Sequence, residues 1–412
     1  MKLAAVLAVA ATLGLPAAAA TRPQPVLGID WNDRTGTRLA RFDPGTLAIQ
    51  PGRKVLLAGH TSPWAFSPDR TKLVFGGDGA SLRFVDARRM RVLGDLQLRL
   101  EGVVDYLDWI RPDRLLALTH DNTGGSTIFV IETAHRRVIR TVPLSQRPLY
   151  GVAQVSGGLV FLLGDGLSLD ERDAAHAGQE PAAVGLVDAA GRLRSISVES
   201  IFAGYIENAD GLIEERRPGF AVDPSGRRAF VVDGGFSVAE IDLDNLFVSY
   251  HRQSTRSLAK FLPGPWRVAR WLGNGMLAVA GADYHGEPGT PASLRLIDTR
   301  TWTWRVVDSK LAYVEVGRGV LAGADKAFDA EPRHYSVYGM DGSFRYGVDV
   351  PALQSLAVQG PYAYVCRGRG LVRVLDGRTG SVVRRYKSAT LPLCATLLYG
   401  QSSAGTLGLA PV

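Results

Sequence analysis

Short runs of apolar residues alternate with compact polar turns along most of this chain. The clearest unit predicts four strands, at Trp64–Phe66, Lys72–Phe75, Leu82–Val85 and Arg91–Leu96, joined by short polar turns. No window of a dozen residues repeats its apolar positions with a helical period. The pattern therefore predicts an all-β protein built from four-stranded antiparallel meanders.

The same succession of strands and turns returns further along the chain, which indicates an internal repeat. The recurring strands are predicted at Arg228–Val232, Val238–Leu243, Phe247–His251, Ala363–Cys366, Val372–Leu375 and Val382–Tyr386. A chain of repeated four-stranded units is typical of a β-propeller, in which each unit is one blade.

Two local motifs resemble those of known propeller families. Gly59-His60 ahead of Phe66-Ser67-Pro68-Asp69 resembles the opening of a WD40 blade, and Asp376 to Gly380 resembles the Asp-x-x-Thr-Gly turn of YVTN blades. The chain thus resembles secreted propellers of the WD40 and YVTN repeat type. This resemblance implies the fold and carries no information about activity, because propellers host unrelated functions.

The number of blades is predicted from the turns between third and fourth strands. Eight such turns occur, at Asp43–Gly45, Asp86, Glu132–Ala134, Asp188–Gly191, Asp242–Asp244, Asp298–Arg300, Met340–Gly342 and Asp376. The segment Val26–Leu57 holds three predicted strands, and Leu393–Tyr399 holds one without a partner. We therefore expect a closed ring of eight blades, in which the C-terminal strand completes the N-terminal blade and removes the exposed sheet edges. A ring of seven blades is the alternative.

The first twenty residues have the pattern of a secretory signal peptide. Lys2 supplies the positive start, Leu3–Leu15 the apolar stretch and Ala18–Ala20 the small-residue cleavage site. An uncleaved anchor is the alternative, but the apolar stretch is shorter than the roughly 20 residues that span a bilayer. We expect residues 21–412 to form a single propeller domain, secreted or in the cell envelope, without a transmembrane anchor.

The net charge of the chain excludes few classes of binding partner. The formal net charge of +7 suits anionic wall polymers or membranes, whereas the absence of a dense basic cluster favours a dispersed, solubilising charge. Nucleic acid is not an expected partner. The partner predicted from the sequence is an unknown protein, a wall polymer or a small polar ligand, and the chain is expected to be a monomer.

The lengths of the connections differ between the two faces of the predicted ring. One face carries the turns between first and second strands and between third and fourth strands, and these are short. The other face, here called the loop face, carries the remaining connections, several of which are long. These are His120–Ser126, Gly164–Pro181, Gly281–Ala292, Gly323–Arg333 and the link Glu199–Pro218. Long irregular connections in a compact domain are usually functional or disordered. We therefore expect any ligand to bind on the loop face.

The candidate ligand-binding residues are the acidic and histidine side chains of these segments: His120, Asp121, Asp165, Asp170, Glu171, Asp173, His176, Asp283, His285, Glu287, Asp325, Asp329, Glu331 and His334. An acidic, histidine-containing rim on a basic protein suggests a cation, a cationic ligand or a polar polymer. Charged side chains that keep surface loops soluble would give the same composition.

Sequence spacing indicates no metal site, no cofactor and no catalytic group. Asp170, Glu171 and Asp173 lack the spacing of a calcium-binding loop, and no Gly-x-Ser-x-Gly elbow is present. A binding or interaction propeller is therefore favoured over the alternative, a propeller hydrolase, lyase or lactonase-like enzyme that uses acidic or histidine residues on the loop face. A pair of carboxylates from different blades, or a histidine paired with a carboxylate, would favour the enzyme.

The two cysteines and several aromatic residues have predicted structural roles. Cys366 and Cys394 are predicted to form a disulfide that closes the ring, because disulfides persist in an exported protein. Two separate buried thiols are the alternative. Packing between blades is the role expected for most of the tryptophans, at Trp64, Trp109, Trp266 and Trp271.

Overall fold

The structure is a computed structural model. It describes residues 26–30, 36–42, 49–60, 63–77, 79–98, 102–121, 125–144, 149–164, 181–207, 213–251, 266–283, 290–317, 319–325, 334–349, 353–359, 362–367 and 371–387. These residues form 34 β-strands and contain no helix. None of them therefore belongs to a helix that could cross a membrane.

The strands of the first half of the chain form four sheets, numbered here in chain order. Sheet 1 contains β1 (Val26–Asp30), β2 (Arg38–Phe42) and β3 (Val55–Leu56). Sheet 2 contains β4 (Trp64–Phe66), β5 (Lys72–Gly77), β6 (Ser81–Asp86) and β7 (Arg91–Gln97). Sheet 3 contains β8 (Val103–Arg111), β9 (Arg114–His120), β10 (Ser126–Glu132) and β11 (Arg137–Pro143). Sheet 4 contains β12 (Leu149–Val155), β13 (Gly158–Leu163), β14 (Ala182–Asp188) and β15 (Leu193–Val198).

The second half begins with a two-stranded hairpin and continues with four more sheets. The hairpin contains β16 (Gly204–Glu207) and β17 (Ile213–Arg216). Sheet 5 contains β18 (Gly219–Val222), β19 (Arg228–Val232), β20 (Val238–Asp242) and β21 (Phe247–His251). Sheet 6 contains β22 (Trp266–Gly273), β23 (Met276–Asp283), β24 (Thr290–Pro291), β25 (Leu294–Asp298) and β26 (Thr303–Asp308). Sheet 7 contains β27 (Tyr313–Gly317), β28 (Val320–Ala324), β29 (His334–Gly339) and β30 (Phe344–Asp349). Sheet 8 contains β31 (Leu353–Gln359), β32 (Tyr362–Arg367), β33 (Leu371–Asp376) and β34 (Val382–Lys387).

Consecutive strands of each sheet pair antiparallel, except that β24 and β25 of sheet 6 both pair with β23, so every sheet is a meander. The first strands of sheets 2 to 8 contact one another in chain order, from β4 and β8 through β12, β18, β22 and β27 to β31. This arrangement of meanders is the one expected of a β-propeller, and it confirms the all-β, four-stranded prediction. Leu393–Tyr399, the strand predicted to close the ring, lies outside the described residues, so closure and blade number stay predictions.

The core lies between neighbouring sheets, and this explains the apolar pattern. A strand inside a stack of sheets is covered on both faces, so its sequence is a continuous apolar run. All six residues of β13 (Gly158–Leu163) are buried. The fourth strands lie at the outer edge of each sheet and are largely exposed, as in β11 and β26. They therefore carry the charged residues.

Aspartates at the ends of third strands close the turns that the sequence repeats. The carboxylate oxygens of Asp86, Asp188, Asp242, Asp298 and Asp376 each accept a hydrogen bond from a main-chain N–H two to four residues further on, at 2.7 to 3.0 Å. An aspartate that bonds its own following backbone favours a tight turn over a continued strand. The turn is therefore determined locally.

Tryptophans pack between sheets, as the sequence predicts. The Trp109 side chain is 2% exposed, and its Nε1–H donates to the main-chain oxygen of Ala65 in the preceding sheet at 3.3 Å. Trp271 stacks on Phe230 of the preceding sheet with ring centroids 5.4 Å apart. Both contacts join first strands to their neighbours and hold adjacent sheets in register.

Two predicted loops contain more regular structure than expected. The link Glu199–Pro218 includes the hairpin β16–β17, and the segment Gly281–Ala292 begins inside β23. Gly281 reads as a turn residue in the sequence, but a Cβ there would lie 2.1 Å from the main-chain oxygen of Trp266. Close approach of two strands therefore requires this glycine, and the strand continues to Asp283.

Candidate functional site

Five of the fourteen predicted ligand-binding residues lie in the described part of the chain: His120, Asp121, Asp283, Asp325 and His334. Nine lie outside it: Asp165, Asp170, Glu171, Asp173, His176, His285, Glu287, Asp329 and Glu331. These five described residues lie at or next to the ends of second strands or at the start of a third strand. The connection between second and third strands is on the loop face, so all five lie on that face. They fall into three separate groups on that face.

The first group surrounds the end of β9. The Nδ1 atom of His120 lies 2.6 Å from a carboxylate oxygen of Asp105 on the neighbouring β8. Asp121 accepts a hydrogen bond from the main-chain N–H of Gly125 at 2.9 Å and donates its own N–H to the Gly125 oxygen. These contacts tie together the base of the connection between β9 and β10.

The second group is built around Arg267, the second residue of β22. Its side chain is 2% exposed, and its Nη2 donates to Asp283 Oδ1 at 2.6 Å and to the main-chain oxygen of Gly234. Its Nη1 donates to the main-chain oxygens of Trp266 and Ala282 at 3.0 and 3.1 Å. The charge of Asp283 is therefore neutralised within the protein by a cation that the sequence analysis did not identify.

Arg267 and a second cation, Arg295, both contact one aromatic ring. The guanidinium carbons of Arg267 and Arg295 lie 4.6 and 3.9 Å from the ring centroid of Phe236. Burial lowers the pKa of Arg267, and the charge of Asp283 opposes that shift. Burial likewise raises the pKa of Asp233, against hydrogen bonds from the N–H groups of Ser237 and Gly235. The cluster is a dense arrangement of paired charges below the surface of the loop face.

A small recess borders this cluster. It has a volume of about 90 Å³ and is lined by Ser200, Ile201, Phe202, Arg216, Pro218, Asp233, Gly234 and Gly235. The lining comes from the link before β16, from the end of the hairpin and from the turn between β19 and β20. Its volume suits a few water molecules or one small polar group, which is less than a drug-sized ligand fills.

The third group lines a larger cavity between sheets 6 and 7, here called the His334 cavity. Its volume is about 500 Å³, and its lining residues are Pro291, Asp308, Lys310, Leu311, Asp325, His334, Ser336 and Phe344. A cavity of this size is within the usual range for small-molecule sites. The structure thus brings Asp325 and His334 together in one concave site, as the loop-face hypothesis expects.

His334 is held from three directions. Its main-chain N–H donates to Asp325 Oδ1 at 3.2 Å, its Nδ1 lies 2.5 Å from Asp349 Oδ1, and its Nε2 lies 2.9 Å from the hydroxyl of Ser336. One further polar residue faces the same side of β29. Tyr338 donates its hydroxyl proton to Asp308 Oδ2 at 2.5 Å, and burial together with this hydrogen bond raises its pKa to about 12.

Ser336 and Asp349 are not among the residues predicted from the sequence. Ser336 is two residues after His334 and therefore on the same face of the strand, and the antiparallel register places Asp349 directly opposite His334. The first relationship follows from strand alternation alone. The second depends on a register shift between Val337 and Tyr338, without which His334 would lie opposite Val348. Within the described ranges, no group of three or more His, Cys, Asp or Glu side chains could hold a metal ion.

No protein-family model matches the chain, and no curated protein matches it. Solved structures do. The dihydro-heme d1 dehydrogenase NirN, in complex with DHE, superposes with a TM-score of 0.59 and 12% identity over 90% of this chain and 74% of that one. Sqt1 from Saccharomyces cerevisiae superposes with a TM-score of 0.54 and 11% identity, over 81% of this chain and 87% of that one.

The computationally designed Ika8 protein gives a TM-score of 0.53 and 13% identity, over 82% of this chain and 91% of that one. The WD40 domain of Sif2 gives the same TM-score at 12% identity, over 83% and 89% of the two chains. Identities this low show the fold alone. The chain is thus similar to WD40 and other β-propeller proteins in structure, which confirms the resemblance found in the sequence.

Proposed function

We propose that this protein is an exported β-propeller of the cell envelope or extracellular space that binds a partner on its loop face. The observation that carries the proposal is the position of Arg267. Its main-chain N–H donates to Arg217 in the link before sheet 5, and its guanidinium bonds Gly234 in a turn and Asp283 below a longer connection. One buried residue thereby joins three connections of the loop face.

The energetics of that residue favour a prearranged surface. Burying a guanidinium is costly unless its donors are paired. Four acceptors satisfy both terminal nitrogens of Arg267, whereas its buried Nε–H has no hydrogen-bond partner among the described residues. Loops fixed at their bases lose less conformational freedom when a partner binds. A loop face organised in this way suits recognition of a protein, a wall polymer or a small polar ligand.

The export part of the proposal rests on the sequence of residues 1–20. An apolar stretch too short to span a bilayer, followed by Ala18–Ala20, is what a signal peptidase requires. Expression with this segment intact in a bacterial host should yield a processed protein that begins at Thr21. Cytoplasmic protein that retains Met1 would contradict export.

Site-specific photo-crosslinking tests the binding face without knowledge of the partner. A benzophenone amino acid would replace Asp121 or Pro291 on the loop face, and Arg227 or Arg378 on the opposite face as matched controls. Adducts of one defined mass from the two loop-face positions, with none from the controls, are the expected result. Equal adducts from both faces, or adducts from the controls alone, would overturn the assignment.

Loop trimming gives the second test. Replacing 284–289 and 165–180 by short Gly-Ser linkers should abolish the adduct and leave the unfolding temperature nearly unchanged, because long surface segments can be shortened at little thermodynamic cost. The flanking Asp283 and Thr290 are retained, so the Arg267 contacts persist. A trimmed protein that forms the same adduct to the same extent would contradict the role of these loops.

A further inference from the structure

Three side chains in and beside the His334 cavity form a continuous hydrogen-bonded series. Asp349 Oδ1 lies 2.5 Å from His334 Nδ1, and His334 Nε2 lies 2.9 Å from Ser336 Oγ. An ionised carboxylate can only accept a hydrogen bond, so Nδ1 carries the ring proton. Nε2 is then the basic nitrogen, and Ser336 donates its hydroxyl proton to it.

This is the arrangement that activates a serine. A nucleophile within hydrogen-bond reach of a base, with the base oriented by a third group, is the general signature of nucleophilic catalysis. We propose that Ser336 is a nucleophile for the hydrolysis of small carboxylic esters, with His334 as its general base. Asp349 is a positioning residue that fixes the ring and its tautomer. The proposal is independent of partner binding on the loop face.

The lining of the cavity suits such a substrate. Leu311, Pro291 and Phe344 supply apolar walls for a short acyl chain, and Lys310 supplies a positive charge in the same cavity for the oxygen that becomes negative during attack. Ser336 is 3% exposed and lines this cavity of about 500 Å³. The side chains of His334 and Asp349 are 39% and 87% exposed, so a ligand would approach the nearly buried serine from the solvent-exposed side of this pair.

The reaction needs no further reagent than water. Ser336 Oγ attacks the ester carbonyl, its proton passes to His334 Nε2, and the C–O bond to the alcohol breaks as that proton is delivered to the departing oxygen. Water then attacks the acyl-serine, gives its proton to Nε2, and releases the carboxylic acid as the proton returns to Oγ. Atoms and charge balance in both halves.

Tyr338 provides the competing acceptor for the serine proton. The Tyr338 oxygen interacts with the hydroxyl of Ser336. The Tyr338 hydroxyl donates its own proton to Asp308. An imidazole nitrogen is a stronger proton acceptor than a neutral phenol oxygen, so the pairing with His334 prevails.

Two other histidines of the chain have polar contacts that differ from those of His334. His60 Nε2 lies 2.9 Å from Ser81 Oγ, but its Nδ1 faces the main-chain oxygens of Leu57 and Ala58 at 3.1 and 3.2 Å. The Nδ1 atom of His120 lies 2.6 Å from Asp105 Oδ2, so this histidine pairs with a carboxylate rather than with a serine. Within the described part of the chain, His334 alone joins a carboxylate and a serine.

The test combines ester hydrolysis with covalent labelling. Purified full-length protein is assayed with p-nitrophenyl acetate and butyrate, and treated with a fluorophosphonate probe followed by peptide mass mapping. We expect turnover above the buffer rate and a single adduct on the peptide that contains Ser336. An unlabelled Ser336, or a label only on another residue, overturns the proposal, and this result depends on no variant.

Matched variants identify the roles. Ser336→Ala and His334→Gln should each lower kcat by roughly 100-fold or more, whereas Ser81→Ala, which alters the pair that lacks a carboxylate, should leave it unchanged. Asp349→Asn should lower kcat with little change in KM. Hydrolysis by Ser336→Ala at the native rate would overturn the proposal. Far-UV circular dichroism and the unfolding temperature verify that each variant is folded.

Discussion

The guanidinium of Arg267 donates to the carboxylate of Asp283 at 2.6 Å from the adjacent strand of sheet 6. The arginine side chain is 2% exposed and the aspartate side chain 22% exposed, so the pair is largely removed from water. The same arginine bonds the oxygen of Gly234 in sheet 5. The ion pair therefore stabilises the junction between two sheets as well as the strand on which it lies.

Asp283→Asn should destabilise the protein by about 3 kcal/mol, because it leaves a buried guanidinium without its countercharge. This value is at the low end of the cost of breaking a buried ion pair, because Asp283 keeps some contact with solvent. Urea unfolding followed by tryptophan fluorescence measures the change. As a control, Asp244→Asn alters a pair whose side chains are 78% and 69% exposed, and it should cost less than about 0.5 kcal/mol. Equal effects of the two substitutions would show that burial of the first pair is energetically unimportant.

Trp109→Ala should lower the free energy of unfolding by about 3–5 kcal/mol, because it leaves a cavity between sheets 2 and 3. Trp109→Phe fills most of that space but removes the hydrogen bond to Ala65, and it should cost about 1–2 kcal/mol. Chemical denaturation of both variants gives the order of the two costs. Val383→Ala, at a residue that is 55% exposed, serves as the control and should be nearly neutral. A Trp109→Ala protein as stable as this control would contradict the packing role.

The turn at Asp298 predicts a loss of stability in acid. Hydrogen bonds from the Arg300 side chain and main chain lower the pKa of Asp298 from 3.8 to about 2. A pKa lower in the folded state means that this group stabilises the fold fully above pH 3.8, and that the stabilisation is lost as the pH falls through about 2. Unfolding temperatures measured from pH 5 to pH 2 should fall less steeply in Asp298→Asn and in Arg300→Gln than in the unaltered protein. Three identical slopes would refute the assignment.

The disulfide prediction remains to be tested, because Cys394 lies outside the described residues. The backbone of Cys366 pairs with Ser355 and Val372 within sheet 8. A bond between the two cysteines would close a loop of about 29 residues and stabilise the fold by roughly 3–4 kcal/mol on the chain-entropy estimate. Non-reducing peptide mapping of the exported protein should find the linked peptides. Two free thiols, or a linkage between two molecules, would exclude a closing disulfide.

Strand positions could be predicted because they depend on local patterns. Buried strands are short apolar runs, and several third strands end at a turn whose aspartate bonds its own backbone, as at Asp86 and Asp376. Both signals lie within a few residues of one another. The predicted strands at Arg228–Val232 and Phe247–His251 accordingly match the observed bounds.

The contacts of the candidate sites could be predicted only in part. Arg267 donates a hydrogen bond to Gly234, which belongs to a neighbouring sheet. The relative position of two sheets cannot be predicted from the local sequence of either one. The predicted connection Gly281–Ala292 begins inside a strand, because Gly281 permits close approach to Trp266. The relation of His334 to Asp349 depends on the register shift between Val337 and Tyr338, which a regular alignment of the two strands does not contain.

The aspartate-closed turns have an evolutionary consequence. The carboxylate and the amides that close the turn at Asp188 or Asp242 belong to the same few residues, so a duplicated gene segment that encodes one sheet brings its own turn with it. Such a chain can gain or lose whole sheets without inventing new connections. Between the turns, selection acts on apolar character and volume rather than on identity. Chains that share only 11–12% identity can therefore adopt similar propeller folds.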